Sequence, residues 1–220
     1  MAKPKSSDFF SGALLAAARA IESGNIAVLE NTLQSADPNQ IGREDMTLLM
    51  FALAHADSGA GNQTIELLVR SGANPLHVVP GIGSAVDVVL IKKNEEIFRA
   101  MLRAGLAPNV RRSDQPLLID AVRYGIPMVR ALAEAGADIN AFNSLGQTPL
   151  YMSLINIDLQ IANYLLDRGA DPGKIDINGR SAAHVLFNTM RRFKPGSPSM
   201  KELEALRDRM IRMGVKWPPS

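Results

Sequence analysis

One short motif recurs along the chain at nearly constant spacing, and this restricts the fold more than any other feature. Ser35-Ala-Asp-Pro38, Gly72-Ala-Asn-Pro75, Gly105-Leu-Ala-Pro-Asn109, Gly136-Ala-Asp-Ile-Asn140 and Gly169-Ala-Asp-Pro172 each close a segment. The four glycines lie 33, 31 and 33 residues apart. A second series opens the segments: Thr47-Leu-Leu-Met50, Ser84-Ala-Val-Asp87, Pro116-Leu-Leu-Ile119, Thr148-Pro-Leu-Tyr151 and Ser181-Ala-Ala-His184, at intervals of 37, 32, 32 and 33. A period near 33 marks a repeat array, built of units that cannot bury their apolar faces alone.

The recurring letters have mechanical reasons. Thr or Ser ahead of the first helix can cap its orphan amides, and Pro is tolerated in the first turn because its missing N–H has no helical partner. Gly at the end of the second helix can take the left-handed conformation of a helix stop. Between these signals the apolar residues keep a helical period: Leu150, Leu154, Ile161, Leu165 and Leu166 in one segment, Val86, Leu90, Ile97, Met101 and Leu102 in another. Two short helices and a hairpin per segment follow.

In period, end motif and apolar pattern, residues 12–190 resemble the ankyrin repeat family. Only Thr148-Pro149-Leu150 matches the first three letters of that family's Thr-Pro-Leu-His, and only His184 supplies its histidine, so the repeats have drifted. The resemblance implies an all-α ankyrin-repeat solenoid of five to six helix-turn-helix repeats with β-hairpin-like loops. Residues 1–11 are expected as an N-terminal tail, 12–190 as the array, and 191–220 as a linker and C-terminal capping helix completing the last repeat.

Composition agrees. Hydrophobic residues make up 46% of the 220 and aromatics 5%, which suits thin helical layers. The absence of cysteine excludes disulfides, thiol catalysis and cysteine-ligated zinc, and leaves the redox compartment open. His55, His77 and His184 fall in different segments without metal-ligand spacing, and no nucleophile motif appears. No catalytic residues, metal or cofactor are expected, and the chain is read as a non-enzyme.

Three segments depart from the repeat. Ala56-Asp-Ser-Gly-Ala-Gly-Asn-Gln63 lengthens the turn between two helices and is read as an exposed loop. Val78-Val-Pro-Gly-Ile-Gly-Ser84 is read as a glycine-requiring turn, with anion contact at the following helix as the weaker alternative. Arg191-Arg-Phe-Lys-Pro-Gly-Ser-Pro-Ser199 is a linker of breakers before an amphipathic helix, Met200 to Met213, whose stripe is Leu203, Leu206, Met210 and Met213. Residues 189–220 hold eight Lys or Arg against three Asp or Glu, while the whole chain is only +2. That charge is read as the solvated face of the cap, and no nucleic-acid partner is expected.

Lys3, Lys5 and the run Phe9 to Ala18 have the outline of a weak secretory signal, yet Leu14 to Gly24 also reads as the first helix of a first repeat. The expectation is a cytoplasmic chain, with a periplasmic or secreted one if residues 1–18 act as a signal. No stretch approaches the ~18 apolar residues of a membrane span.

In ankyrin proteins the hairpin tips and the exposed side of each first helix commonly hold the partner. The resemblance therefore implies a partner-binding set of Arg43, Glu44, His55, Ile82, Ile91, Lys92, Arg111, Arg112, Arg123, Tyr124, Phe142, Asn143, Leu145, Ile155 and Asn156. Basic and aromatic residues beside isoleucines suit a protein partner with an acidic rim around an apolar centre. The chain is expected to be monomeric when free. Its drifted repeats resemble those of bacterial ankyrin proteins, and among their roles an immunity-type inhibitor of a toxin or effector enzyme ranks ahead of a general adaptor and a host-directed secreted effector.

Overall fold

The computed structural model describes residues 3–56 and 61–219. Of the lengthened turn read at Ala56 to Gln63, residues 57–60 lie outside them, and Gly61 to Gln63 open a helix instead of continuing a loop. The chain forms two compact halves, residues 1–107 and 108–220.

The first half holds a short helix α1 (Ser6–Phe9) and three helix pairs: α2 (Gly12–Ser23) with α3 (Ile26–Leu33), α4 (Leu48–His55) with α5 (Gly61–Arg70), and α6 (Ala85–Lys92) with α7 (Glu95–Arg103). Leu29, Leu48, Leu49, Phe51, Ile65, Leu68, Leu90, Phe98 and Met101 are fully enclosed between neighbouring pairs. Residues 6–10 are not a loose tail. Phe10 is buried with its ring edge-on to Phe51 at 5.4 Å, and Ser6 donates from its N–H and hydroxyl to the Glu22 carboxylate at 2.6 and 2.8 Å. Gly42 makes this possible, because a Cβ there would meet Phe9 O at 2.7 Å and the Phe10 ring at 2.8 Å.

The second half holds α8 (Leu117–Val122) with α9 (Ile126–Glu134), α10 (Pro149–Ile155) with α11 (Leu159–Asp167), and α12 (Ala182–Met190) with α13 (Pro198–Arg212). Leu117, Leu118, Val129, Leu132, Leu150, Ile161, Leu165 and Leu186 have almost no solvent exposure. The amphipathic helix α13 buries Met200, Leu203, Leu206 and Met210 and packs on α11 and α12. Met213, predicted on the same stripe, lies past the helix end and is 44% exposed. Arg209 is part of this packing: it pairs with Asp167 at 2.6 Å and donates to Asn163 Oδ1 at 3.1 Å.

The predicted caps form at most first helices. Thr47 accepts from Met50 N–H and Thr148 from Tyr151 N–H, each at 3.2 Å. Ser84 and Asp87 make a reciprocal capping box, Ser84 N–H donating to Asp87 Oδ2 at 2.8 Å. That carboxylate occupies the start of α6, so the anion-contact alternative for the Gly-x-Gly turn is set aside. The turn is a hairpin instead, pairing β1 (Val78–Val79) with β2 (Gly83–Ser84), and Gly83 sits at φ +97. A second hairpin pairs β3 (Arg111–Arg112) with β4 (Gln115–Pro116), and a single bridge joins Ile175 to Ser181.

Second helices start on a signal that the recurring motif does not contain. Asn25, Asn94 and Asp158 each accept from the backbone N–H three residues on, at 3.1, 3.1 and 2.9 Å.

Candidate functional site

A helical layer with a polar outer face and an apolar edge shows where it can hold a partner. Thirteen large apolar side chains are well exposed among the described residues. Ten of them sit on hairpin loops, on first helices or in the turn just after one: Ile41, Val78, Ile82, Ile91, Phe142, Leu145, Ile155, Ile157, Ile175 and Ile177. The other three, Val28, Ile211 and Met213, belong to the first and last second helices or their ends. Apolar exposure thus concentrates on the elements predicted to bind.

Most predicted site residues are available there. Arg43, Glu44, Ile82, Ile91 and Lys92 are exposed in the first half, and Arg111, Arg123, Phe142, Leu145, Ile155 and Asn156 in the second. Arg112 and Tyr124 are half-buried. Of the cluster predicted around Lys92 and Arg123, Lys92 belongs to the first half and Arg111, Arg112, Arg123 and Tyr124 to the second.

Two predicted residues belong to the framework. His55 is buried, its ring centroid 4.4 Å from that of Phe51 and tilted by 36°, with Nδ1 donating to Phe51 O at 2.9 Å. A histidine at the end of a short helix can fold its ring back onto the preceding turn, which sequence position alone does not reveal. Asn143 is buried too. Its Oδ1 accepts from the N–H groups of Leu145 and Gln147 at 3.0 Å each, holding the loop that presents Leu145. This is the backbone-mimicking habit of Asn in turns.

In the second half the hairpin loops are joined to one another. Arg111 donates to Phe142 O at 3.1 Å and to Asp114 O. Lys174 lies 4.3 Å over the Phe142 ring while donating to Asn140 O at 2.8 Å. Ile177 N–H donates to Leu145 O at 3.0 Å. Phe142, Leu145, Ile175 and Ile177 are thus presented by a braced row of loops. Arg112 is turned inward to Asp120, 3.8 Å away.

Beside α10 and α12 is an open cleft of about 200 Å³ lined by Tyr151, Ile155, Arg180, His184, Val185, Asn188, Thr189 and Arg192. His184 Nδ1 accepts from Ser181 N–H at 3.0 Å, the intra-repeat role expected of the family histidine. Beneath the cleft is the buried pair Tyr151 and Asp176. Burial, the Asp176 charge and its hydrogen-bonding influence raise the Tyr151 pKa, against a lowering by Arg180. Burial also pushes Asp176 up, but the N–H groups of Arg180 and Asn178, the Arg180 charge and the Tyr151 hydroxyl together bring it below the ordinary carboxylate value. The hydroxyl acts on Asp176 without completing a well-formed hydrogen bond, and Asp176 Oδ2 has no partner within bonding distance. Of the residues lining this cleft, only Ile155 belongs to the binding set expected from the sequence. Arg180 and Arg192, which flank the two ends of α12, gave no local signal, because the cleft they line forms only when α10 and α12 pack side by side.

No group of side chains suited to holding a metal occurs among the described residues, and no described helix is long and apolar enough to cross a membrane.

Comparison with known proteins matches residues 84–184 to the family model described as ankyrin repeats (3 copies). Human B-cell lymphoma 3 protein is 33% identical over 76 residues, 33% of this chain and 17% of that protein. Mouse cyclin-dependent kinase 4 inhibitor B is 41% identical over 64 residues, 29% of this chain and 48% of that protein. The chain spans less than half the length of the curated relatives it matches. Among solved structures, the ankyrin repeat domain of Bcl-3 superposes with a TM-score of 0.65 at 21% identity, covering 91% of this chain and 86% of that one. A chain from the complex of a predatory endopeptidase of Bdellovibrio bacteriovorus with an immunity protein superposes at 0.56 and 19% identity, covering 86% and 97%. Ankyrin repeats are a protein–protein interaction module. Helix pairs, hairpins, period and family match agree: residues 84–184 are ankyrin repeats, and the chain has the fold of ankyrin repeat proteins, with repeats drifted from the family's consensus.

Proposed function

We propose that the chain is a non-catalytic binder that holds one specific partner protein along its hairpin loops and first helices, and that it acts as an immunity-type inhibitor of that partner. The observation that carries the binding reading is the exposure of apolar side chains on the hairpin loops and first helices of each half, Ile82 and Ile91 in the first and Phe142, Leu145, Ile155, Ile175 and Ile177 in the second. Isolated apolar residues on a surface need no explanation, but their recurrence on the same elements of successive repeats marks an interaction surface. Around them stand Arg43, Lys92, Arg111 and Arg123, which favour a partner with an acidic rim. His55 and Asn143 are excluded from this set because both are buried in the framework.

The inhibitor role is supported by the fold shared with a chain from the endopeptidase and immunity-protein complex. The test is to capture the partner with the tagged chain from its source cells, purify it and assay its own enzymatic activity while titrating in the chain. Loss of activity that saturates at a fixed stoichiometry supports an inhibitor. A tight complex whose partner keeps full activity leaves an adaptor, and failure to hold any protein specifically defeats the binding reading itself.

A further inference from the structure

The cleft beside α10 and α12 is lined by hydrogen-bond donors without a matching acid. Arg180 and Arg192 are both exposed at its edge, and neither has a carboxylate within ion-pair distance among the described residues. The Asp176 charge acts on Arg180 without an ion pair: its Oδ1 accepts from the N–H groups of Asn178 and Arg180 at 2.8 and 2.9 Å, and its buried Oδ2 has no partner within bonding distance. His184 accepts at Nδ1 from Ser181 N–H, which places the proton of the neutral ring on Nε2 and leaves that N–H as its donor. The Asn188 side chain offers an amide. Ile155 and the largely buried Val185 add an aliphatic wall.

We infer that this cleft is a specificity pocket for a carboxylate side chain, Glu or Asp, carried by an extended apolar segment of the partner protein. The inference rests on the protein-binding reading and gives its partner a chemical signature. Guanidinium groups bind carboxylates through paired, charge-assisted hydrogen bonds, and two of them lining one cleft with an imidazole supply donors for the acceptor sites of a carboxylate. The volume, about 200 Å³, is below the ~300 Å³ at which small-molecule sites begin and suits one side chain. The aliphatic wall of Ile155 and Val185 takes the stem of that side chain and an adjoining apolar residue, which a free inorganic anion would leave unused.

The probe is the blocked peptide Ac-Ala-Leu-Glu-Leu-Ala-NH2, titrated into the isotope-labelled full chain and followed by NMR, beside its Gln counterpart and inorganic phosphate. Saturable shifts are expected at His184, Asn188 and Arg192, with at least tenfold weaker binding of the Gln peptide. R180A and R192A should each weaken the Glu peptide at least fivefold with an unchanged circular dichroism spectrum, since both side chains are exposed. Equal binding of the Glu and Gln peptides, or no saturable shift, overturns the pocket. Tighter binding of phosphate than of the Glu peptide overturns it in favour of a small-anion site. Capture of the native partner undiminished by the double variant R180A/R192A also overturns it while sparing the protein-binding reading. If the wild-type chain holds no partner at all, that wider reading fails, and the Glu-against-Gln comparison still decides the pocket.

Discussion

The carboxamide of Asn140 is a two-pronged link to the following repeat: Nδ2 donates to Gly169 O at 3.1 Å and Oδ1 accepts from Asp171 N–H at 2.8 Å. Asn109 makes the same pair with Gly136 O and Asp138 N–H, at 3.2 and 2.7 Å, and Asn39 with Gly72 O and Asn74 N–H, at 2.8 and 2.7 Å. Each carboxamide holds the loop after one second helix against the loop after the next. Two exposed hydrogen bonds are worth about 1–2 kcal/mol together. Asn140→Ala and Asn109→Ala should each lower stability by about that amount in urea denaturation, and an unchanged midpoint for both would show the links to be idle.

Leu150→Ala or Leu165→Ala should do more. Both side chains are fully enclosed, and removal of a core leucine leaves a cavity costing about 2–5 kcal/mol. Coupling between stacked repeats should spread the loss beyond the mutated unit. Hydrogen exchange would detect this as faster opening in α8 and α12 as well as in α10 and α11. Opening confined to the mutated helix pair would count against coupled repeats.

Ile157 occupies a left-handed conformation, φ +55, in the turn between α10 and α11. A β-branched side chain is strained there, and a left-handed L-residue costs roughly 1–2 kcal/mol. Since Ile157 is also exposed, Ile157→Gly removes little packing. The variant should be more stable by about 1 kcal/mol in thermal denaturation. A lower melting temperature would mean that the Ile157 side chain makes contacts worth more than its backbone strain.

Asp176 links the same region to pH. Its folded pKa is held below the ordinary value, so its ionisation stabilises the fold above the unfolded pKa, near 4. That contribution is lost as pH falls through the depressed folded value. The melting temperature of the wild type should therefore drop more steeply between pH 5 and pH 3 than that of Asp176→Asn, measured side by side. Parallel curves would show that Asp176 does not couple folding to protonation in this range.

Much of the fold was legible because period is a global signal. Gly169 ends a helix at φ +85 and Thr148 caps one, as their places in the repeat required. The N-terminal Phe10 was hidden by distance: its burial against Phe51 depends on the close approach that Gly42 permits, and no periodic pattern announces it. The candidate site was legible only as a set of elements, the hairpin loops and first helices. Ile91 and Phe142 stand exposed where the repeat register places them, whereas His55 turns its ring into the core and Asn143 spends its amide on a loop. Such choices are made by local hydrogen bonding after the backbone is in place. Arg209, which looked like solvated cap charge, is instead fastened to Asp167.

Hydrogen–deuterium exchange of the full chain, with and without its captured partner, bears most directly on the central claim. The account expects protection on residues 111–116, 142–147 and 175–181 and on first helices such as α10 and α12, with second helices such as α11 unchanged. Protection confined to α11 and α13, with those loops exchanging as in the free chain, would contradict it.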